Sequence, residues 1–165
     1  MPIHKFSESL AIGCDGETTF QKAFPLKLLR LCGKHADFAI DESYDLLELK
    51  SPGYPLTTMF IESRSNRETG TLGGPIRSES LGIKWFVYWR EHECEWAIYN
   101  CATLAMLMRS VMADSNGRKV VSVKNYNREG GFYHSEGFIF TRRELVSFEY
   151  KLDSKLRLVS PECGI

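Results

Sequence analysis

DFAIDESYDLLELK, running from Asp37 to Lys50, decides how the rest of the chain is read. Ala36–Asp41 and Tyr44–Lys50 are apolar-rich, and Asp41-Glu42-Ser43 between them is a turn signal, so two short strands joined as a hairpin are expected. Side chains alternate faces along a strand. Phe38 and Ile40 then share one face, as do Leu47 and Leu49, and the opposite faces carry Asp37, Glu48 and Lys50. A hairpin that pairs Asp41 with Tyr44 sets Asp37 across from Glu48, with Cβ atoms about 5 Å apart. Two carboxylates that close repel unless a cation lies between them, and a hard divalent ion takes oxygen ligands of this kind. An acidic pair beside a lysine is also an ordinary solvated strand face. A register one residue different turns Asp37 away from Glu48.

Composition sets the frame for that stretch. A chain of 165 residues suits one domain over 1–165 with a real core, and 43% apolar with 25% charged residues is ordinary for a globular protein. Lys plus Arg equals Asp plus Glu at 21 each, so any nucleic-acid contact has to come from a local basic patch. Cys14, Cys32, Cys94, Cys101 and Cys163 are odd in number and lack CxxC spacing, which fits reduced thiols better than a disulfide framework or a zinc site. The opening MPIHKFSESL has no signal-peptide apolar run and no stretch approaches membrane-spanning length, so a cytoplasmic protein without a membrane partner is expected.

Along the chain, Phe20, Phe24, Leu28 and Leu31 fall at helical spacing, with Asp15 as N-cap and Glu17 in a first turn where a carboxylate suits the helix dipole. Pro25 then implies a kink or a restart within that helix. Thr57–Ser63 reads as a strand, Asn66–Pro75 as a glycine-rich loop without the GK[ST] of a P-loop, and Ile76–Leu81 as a short helix opened by Pro75. Ile83–Trp89 is almost wholly apolar and aromatic, the pattern of a strand buried on both faces. Trp96–Cys101 is a further strand, and Leu104, Leu107, Met108 and Val111 make the apolar stripe of a helix over Ala102–Met112. Val120–Lys124 and Phe138–Phe140 complete the strands, and Arg118, Lys119, Lys124, Arg128, Arg142 and Arg143 give this half a basic bias, for phosphate binding or for solvation. His4, His35, His92 and His134 have no HxxxH or HExxH spacing and receive no metal.

Asp37, followed by Glu48-Leu49-Lys50 on the next strand, resembles the signature of the PD-(D/E)XK (restriction-endonuclease-like) nuclease superfamily, with Ala36 where that family often has proline. Gly13-Cys14-Asp15-Gly16-Glu17 resembles the G-x-x-G-E context of the glutamate that many members carry on the preceding helix. Phe60-Ile61-Glu62, a glycine-rich loop, a short helix and an aromatic strand ending in Val87-Tyr88 look like a group of bacteriophage-encoded members. The likeness covers about residues 13–90 and extends weakly to Gly137–Leu145.

The resemblance implies a mixed α/β fold, a restriction-endonuclease-like core with a central mixed β-sheet flanked by helices, whose first strand lies in residues 3–12 or is missing. It implies metal-dependent hydrolysis of phosphodiester bonds in nucleic acid, DNA before RNA, by an endonuclease or exonuclease in the host cytoplasm. Asp37, Glu48, the Leu49 carbonyl and Glu17 would hold Mg²⁺ or Mn²⁺, and Lys50 would orient the attacking water. Glu62 is either a further acidic group or a partner for Arg64 or Arg77. A homodimer is a further expectation, with the apolar 83–112 region either its interface or core. The rival expectation is a nuclease fold kept as a nucleic-acid-binding or regulatory protein without catalysis.

Overall fold

The computed structural model describes residues 6–32, 35–52, 55–126 and 131–161. In chain order they form α1 (Phe6–Ala23), β1 (Leu28–Arg30), β2 (Phe38–Ile40), β3 (Leu46–Lys50), β4 (Thr58–Asn66), β5 (Thr71–Leu72), α2 (Gly74–Ser80), β6 (Trp85–Arg90), β7 (Glu95–Asn100), α3 (Cys101–Ala113), β8 (Val121–Tyr126), β9 (Phe132–Thr141), α4 (Arg142–Leu145), β10 (Glu149–Leu152) and β11 (Leu158–Val159). The larger sheet has seven strands in the order β1-β2-β3-β6-β7-β10-β11. It is mixed: β3 and β6 run parallel, with Glu48 beside Phe86 and Lys50 beside Tyr88, and the other pairings are antiparallel. A second, antiparallel sheet of four strands runs β5-β4-β9-β8.

The aromatic strand β6 feeds two separate cores because its side chains alternate. Trp85, Val87 and Trp89 pack with Phe20 and Phe24 of α1 and with Phe38, Leu47 and Leu49 of the hairpin. Phe86 and Tyr88 point the other way, into a cluster with Met59, Ile61, Phe138 and Phe140 of the second sheet and Leu104 and Met108 of α3. With Leu47 and Leu49 committed to the first core, Glu48 and Lys50 are left on the side that faces the second. Thr19 fixes α1 to the sheet by accepting the Trp89 indole N–H at 3.1 Å.

The helix expected to open at Asp15, run through Leu31 and kink or restart at Pro25 is corrected. α1 ends at Ala23, just before Pro25, whose ring and missing N–H stop a helix. Leu28 still reaches the Phe20–Phe24 cluster, but from strand β1, so helical spacing and shared burial coincide without one continuous helix. Asp15 is inside α1 rather than its N-cap, and Glu17 is mid-helix rather than in a first turn. Residues 6–12, where a first strand was one expectation, are helical, and residues 3–5 lie outside the described residues; a strand β1 does stand between α1 and Asp37 and pairs antiparallel with β2. Asn66–Pro75 is not a plain loop: β4 runs on to Asn66 and returns as β5. Arg142 and Arg118 do not contribute to a free basic surface, since Arg142 is bound to Glu149 and Glu95 and Arg118 to Glu144. Arg128 and His4 lie outside the described residues. No helix among the described residues is long and apolar enough to cross a membrane.

Candidate functional site

The hairpin has the register read from the sequence, Phe38 opposite Leu47 and Ala39 opposite Leu46, although its strands are shorter than expected. Its turn is closed by Ile40 N–H to Asp45 O at 3.0 Å and Tyr44 N–H to Ile40 O at 2.8 Å, with Tyr44 at φ 55°. Asp37 stands just before β2, and its N–H donates to Leu47 O at 3.1 Å. Its Oδ2 accepts the Leu49 N–H at 2.7 Å, so the carboxylate itself continues the pairing where β2 ends. That bond pins Asp37 across the strand that carries Glu48 and Lys50.

The charges answer to that placement. Burial, and next the Glu48 carboxylate, push the Asp37 carboxyl up to about 6, against the opposing pull of the Leu49 N–H and Lys50. Lys50 Nζ lies 2.6 Å from Glu48 Oε1 and 5.9 Å from the centre of the Phe86 ring. Burial works to lower the Lys50 pKa, but Glu48, Asp37 and Glu62 outweigh it and hold it above the usual ammonium value. Lys50 is therefore held as a cation in this arrangement.

Glu17 reaches the neighbourhood because α1 passes close to the end of β3: a Cβ on Gly16 would meet Ser51 Oγ at 2.4 Å. Its carboxylate is ion-paired with Arg30, and Asp37 feels its charge as the weakest of five influences. Glu62, whose role the sequence left open, comes in from β4. Its Oε2 accepts the Gly74 N–H at 3.2 Å, and Cβ atoms on Gly73 or Gly74 would meet its carboxylate or its backbone carbonyl at 2.3 Å. Burial raises the Glu62 pKa against Lys50 and that N–H. Arg64 pairs with Glu136 instead of Glu62. A cavity of about 80 Å³ lies between these groups, lined by Glu48, Lys50, Glu62, Arg77 and His35 among others. The sequence signals for this second wall were Glu62 itself, open as a further acidic group or an arginine partner, and the glycine pair before Pro75, which reads equally as turn chemistry.

No family model, curated protein or solved structure matches this chain. The site rests on its own geometry.

Whether these residues suit a divalent ion is answered by their chemistry. Asp37, Glu48 and the Leu49 carbonyl are hard oxygen donors, and the Asp37 carboxyl is raised first by burial and second by Glu48, whose repulsion a cation would relieve. Among the described residues no three His, Cys, Asp or Glu side chains come together as a metal-ligand cluster. Mg²⁺ is commonly bound through one or two carboxylates with water and phosphate oxygens completing its shell, so an acidic pair fits it. The arrangement brings Asp37, Glu48 and Lys50 together and leaves Glu17 turned to Arg30.

Proposed function

We propose that this chain is a metal-dependent nuclease with a restriction-endonuclease-like core, hydrolysing phosphodiester bonds of nucleic acid, DNA before RNA. The observation that carries the reading is the Asp37 carboxylate, held at the start of β2 by the Leu49 N–H at 2.7 Å, next to Glu48 and Lys50 on the adjoining strand β3 of a mixed sheet. Asp37, Glu48 and the Leu49 carbonyl would hold Mg²⁺ or Mn²⁺, with Glu17 an outer acid. The ion, when bound, supplies charge neutralisation at phosphorus and a more acidic water. Lys50 holds a water and a non-bridging phosphate oxygen by its ammonium hydrogens and offsets charge that develops there. Asp37, kept in place by the Leu49 N–H, presents its carboxylate without having to reorganise.

A second reading, a nuclease fold kept for binding alone, is favoured by Glu48 being already engaged by Lys50 and Glu17 by Arg30. Calorimetric titration with Mn²⁺, followed by incubation with structured DNA and RNA substrates, separates the two. The nuclease reading expects binding that Glu48→Ala abolishes, and cleavage that EDTA stops. Undiminished cleavage by chelated protein would sink the metal mechanism, and no Mn²⁺ binding would leave the binding-protein reading.

A further inference from the structure

Beyond Lys50 the site opens into a second recess of about 260 Å³, whose walls include Pro52, Phe60, Phe86 and Tyr88. Lys50 and Glu62 line both this recess and the small cavity of Glu48, so they stand between the two. The recess is built from backbone outward. Tyr88 Oη donates to the Phe60 carbonyl at 3.0 Å, tying β6 to β4. Gly137 lies opposite Glu62 on the neighbouring strand, and a Cβ there would meet the Phe60 ring at 2.7 Å, so the glycine is what lets the ring lie where it does. Phe86 and Tyr88 are buried beneath the recess and Phe60 is its half-buried aromatic side chain. The Phe60 ring, the Lys50 ammonium on the inner rim and the Glu62 carboxyl beside it suit one kind of ligand: a flat base, an anionic phosphate and the N–H edge of that base.

We propose that this recess takes a single unstacked nucleobase next to the phosphate held at Lys50, so that the substrate is single-stranded or locally unpaired nucleic acid. The proposal rests on the nuclease reading of the adjoining site. A paired base lies inside the duplex and cannot enter a side recess without being extruded, which costs a few kcal/mol; an unpaired base enters without that cost and gains stacking on the Phe60 ring.

The test uses the protein in EDTA, which withholds the divalent ion that the proposed cleavage requires. Fluorescence anisotropy is measured with a labelled single-stranded DNA oligonucleotide and with the same sequence as a duplex, for the protein, Phe60→Leu and Phe60→Trp. Phe60→Leu keeps apolar volume and removes the stacking face, and Phe60→Trp restores it. The expected result is single-strand binding at least roughly tenfold tighter than duplex binding, a loss of roughly tenfold in Phe60→Leu on the single strand only, and recovery in Phe60→Trp. Duplex binding as tight as single-strand binding, or single-strand affinity indifferent to Phe60→Leu, would overturn the proposal. Cleavage with Mn²⁺ of the single strand, the duplex and a duplex with one bulged base is scored separately. Absence of cutting on all three counts against the nuclease reading, and the anisotropy series still decides the recess.

Discussion

Asp37 changes its charge inside the range of ordinary assays, because burial first and Glu48 second hold its carboxyl near 6. An acid with a raised folded pKa contributes most to stability below its unfolded value, about 3.9, and loses that contribution as pH rises through the folded one. Asp37→Asn removes the ionisation while retaining an acceptor for the Leu49 N–H. In the absence of divalent ions it should therefore melt higher than the parent at about pH 7, by roughly 1–2 kcal/mol after allowing for partial solvent screening, and no higher at about pH 4. Equal shifts at both pH values would deny that the Asp37 carboxyl is raised. Protons and metal compete for the same carboxyl, so Mn²⁺ affinity should climb through about pH 6 and level off above it. Glu48 and Lys50 separate in a different way. Glu48→Ala should lose metal binding and turnover together, whereas Lys50→Ala frees Glu48 Oε1 and should bind Mn²⁺ at least as tightly. Its loss should fall on single-turnover cleavage, on the order of a hundredfold, and much less on substrate affinity. Wild-type cleavage by Lys50→Ala would reduce Lys50 to a surface lysine.

At the scale of elements, the wall opposite the hairpin depends on two glycines. Gly74 has φ +49°, and a Cβ there would meet the Glu62 carbonyl at 2.3 Å. Gly74→Ala should cost about 1–3 kcal/mol in urea unfolding and loosen the Glu62 carboxylate from α2. A change of midpoint no greater than that of an exposed substitution would mean that the approach is not tight. The same contrast explains what the sequence made legible. Strands β6 and β7 and helix α3 were readable because burial writes period-2 or period-3.6 patterns directly into them. The hairpin register was readable for the same reason, and with it Asp37, Glu48 and Lys50. Helix α1 was misread past Pro25 because Leu28 is apolar for the cluster it joins, and neither period records which element delivers it. Glu62 and the recess came from contacts between β4, β6 and the Gly73–Gly74 turn, which leave no periodic trace. The second sheet was likewise hidden, since β4, β8 and β9 look alike whichever sheet they enter.

For the molecule as a whole, Arg142 ties the second sheet to the first. It follows β9 directly, and its guanidinium donates to Glu149 through Nε at 2.9 Å and Nη2 at 2.7 Å, to the Trp96 carbonyl at 3.2 Å, and to Glu95. Glu149 is 2% exposed. Burial works to raise its pKa, but Arg142 and Lys151 outweigh it and hold it below the usual carboxylate value. Arg142→Met should cost about 3–5 kcal/mol by leaving that carboxylate without its main partner, and Arg142→Met with Glu149→Met should recover much of the loss. A double variant no better than the single one would show that packing, not the stranded charge, sets the cost. The parallel contact of β3 with β6 has a further consequence, one of timing. Between those two neighbouring strands the chain builds β4, β5 and α2. A local hairpin closes in microseconds, while a parallel pairing across an intervening subdomain waits on a much larger loop closure. During synthesis and refolding, Asp37 and Glu48 thus become neighbours early, before Phe86 and Tyr88 arrive to form the recess. On this topology the Asp37–Glu48 pair is expected to form first in folding and the recess beside it last.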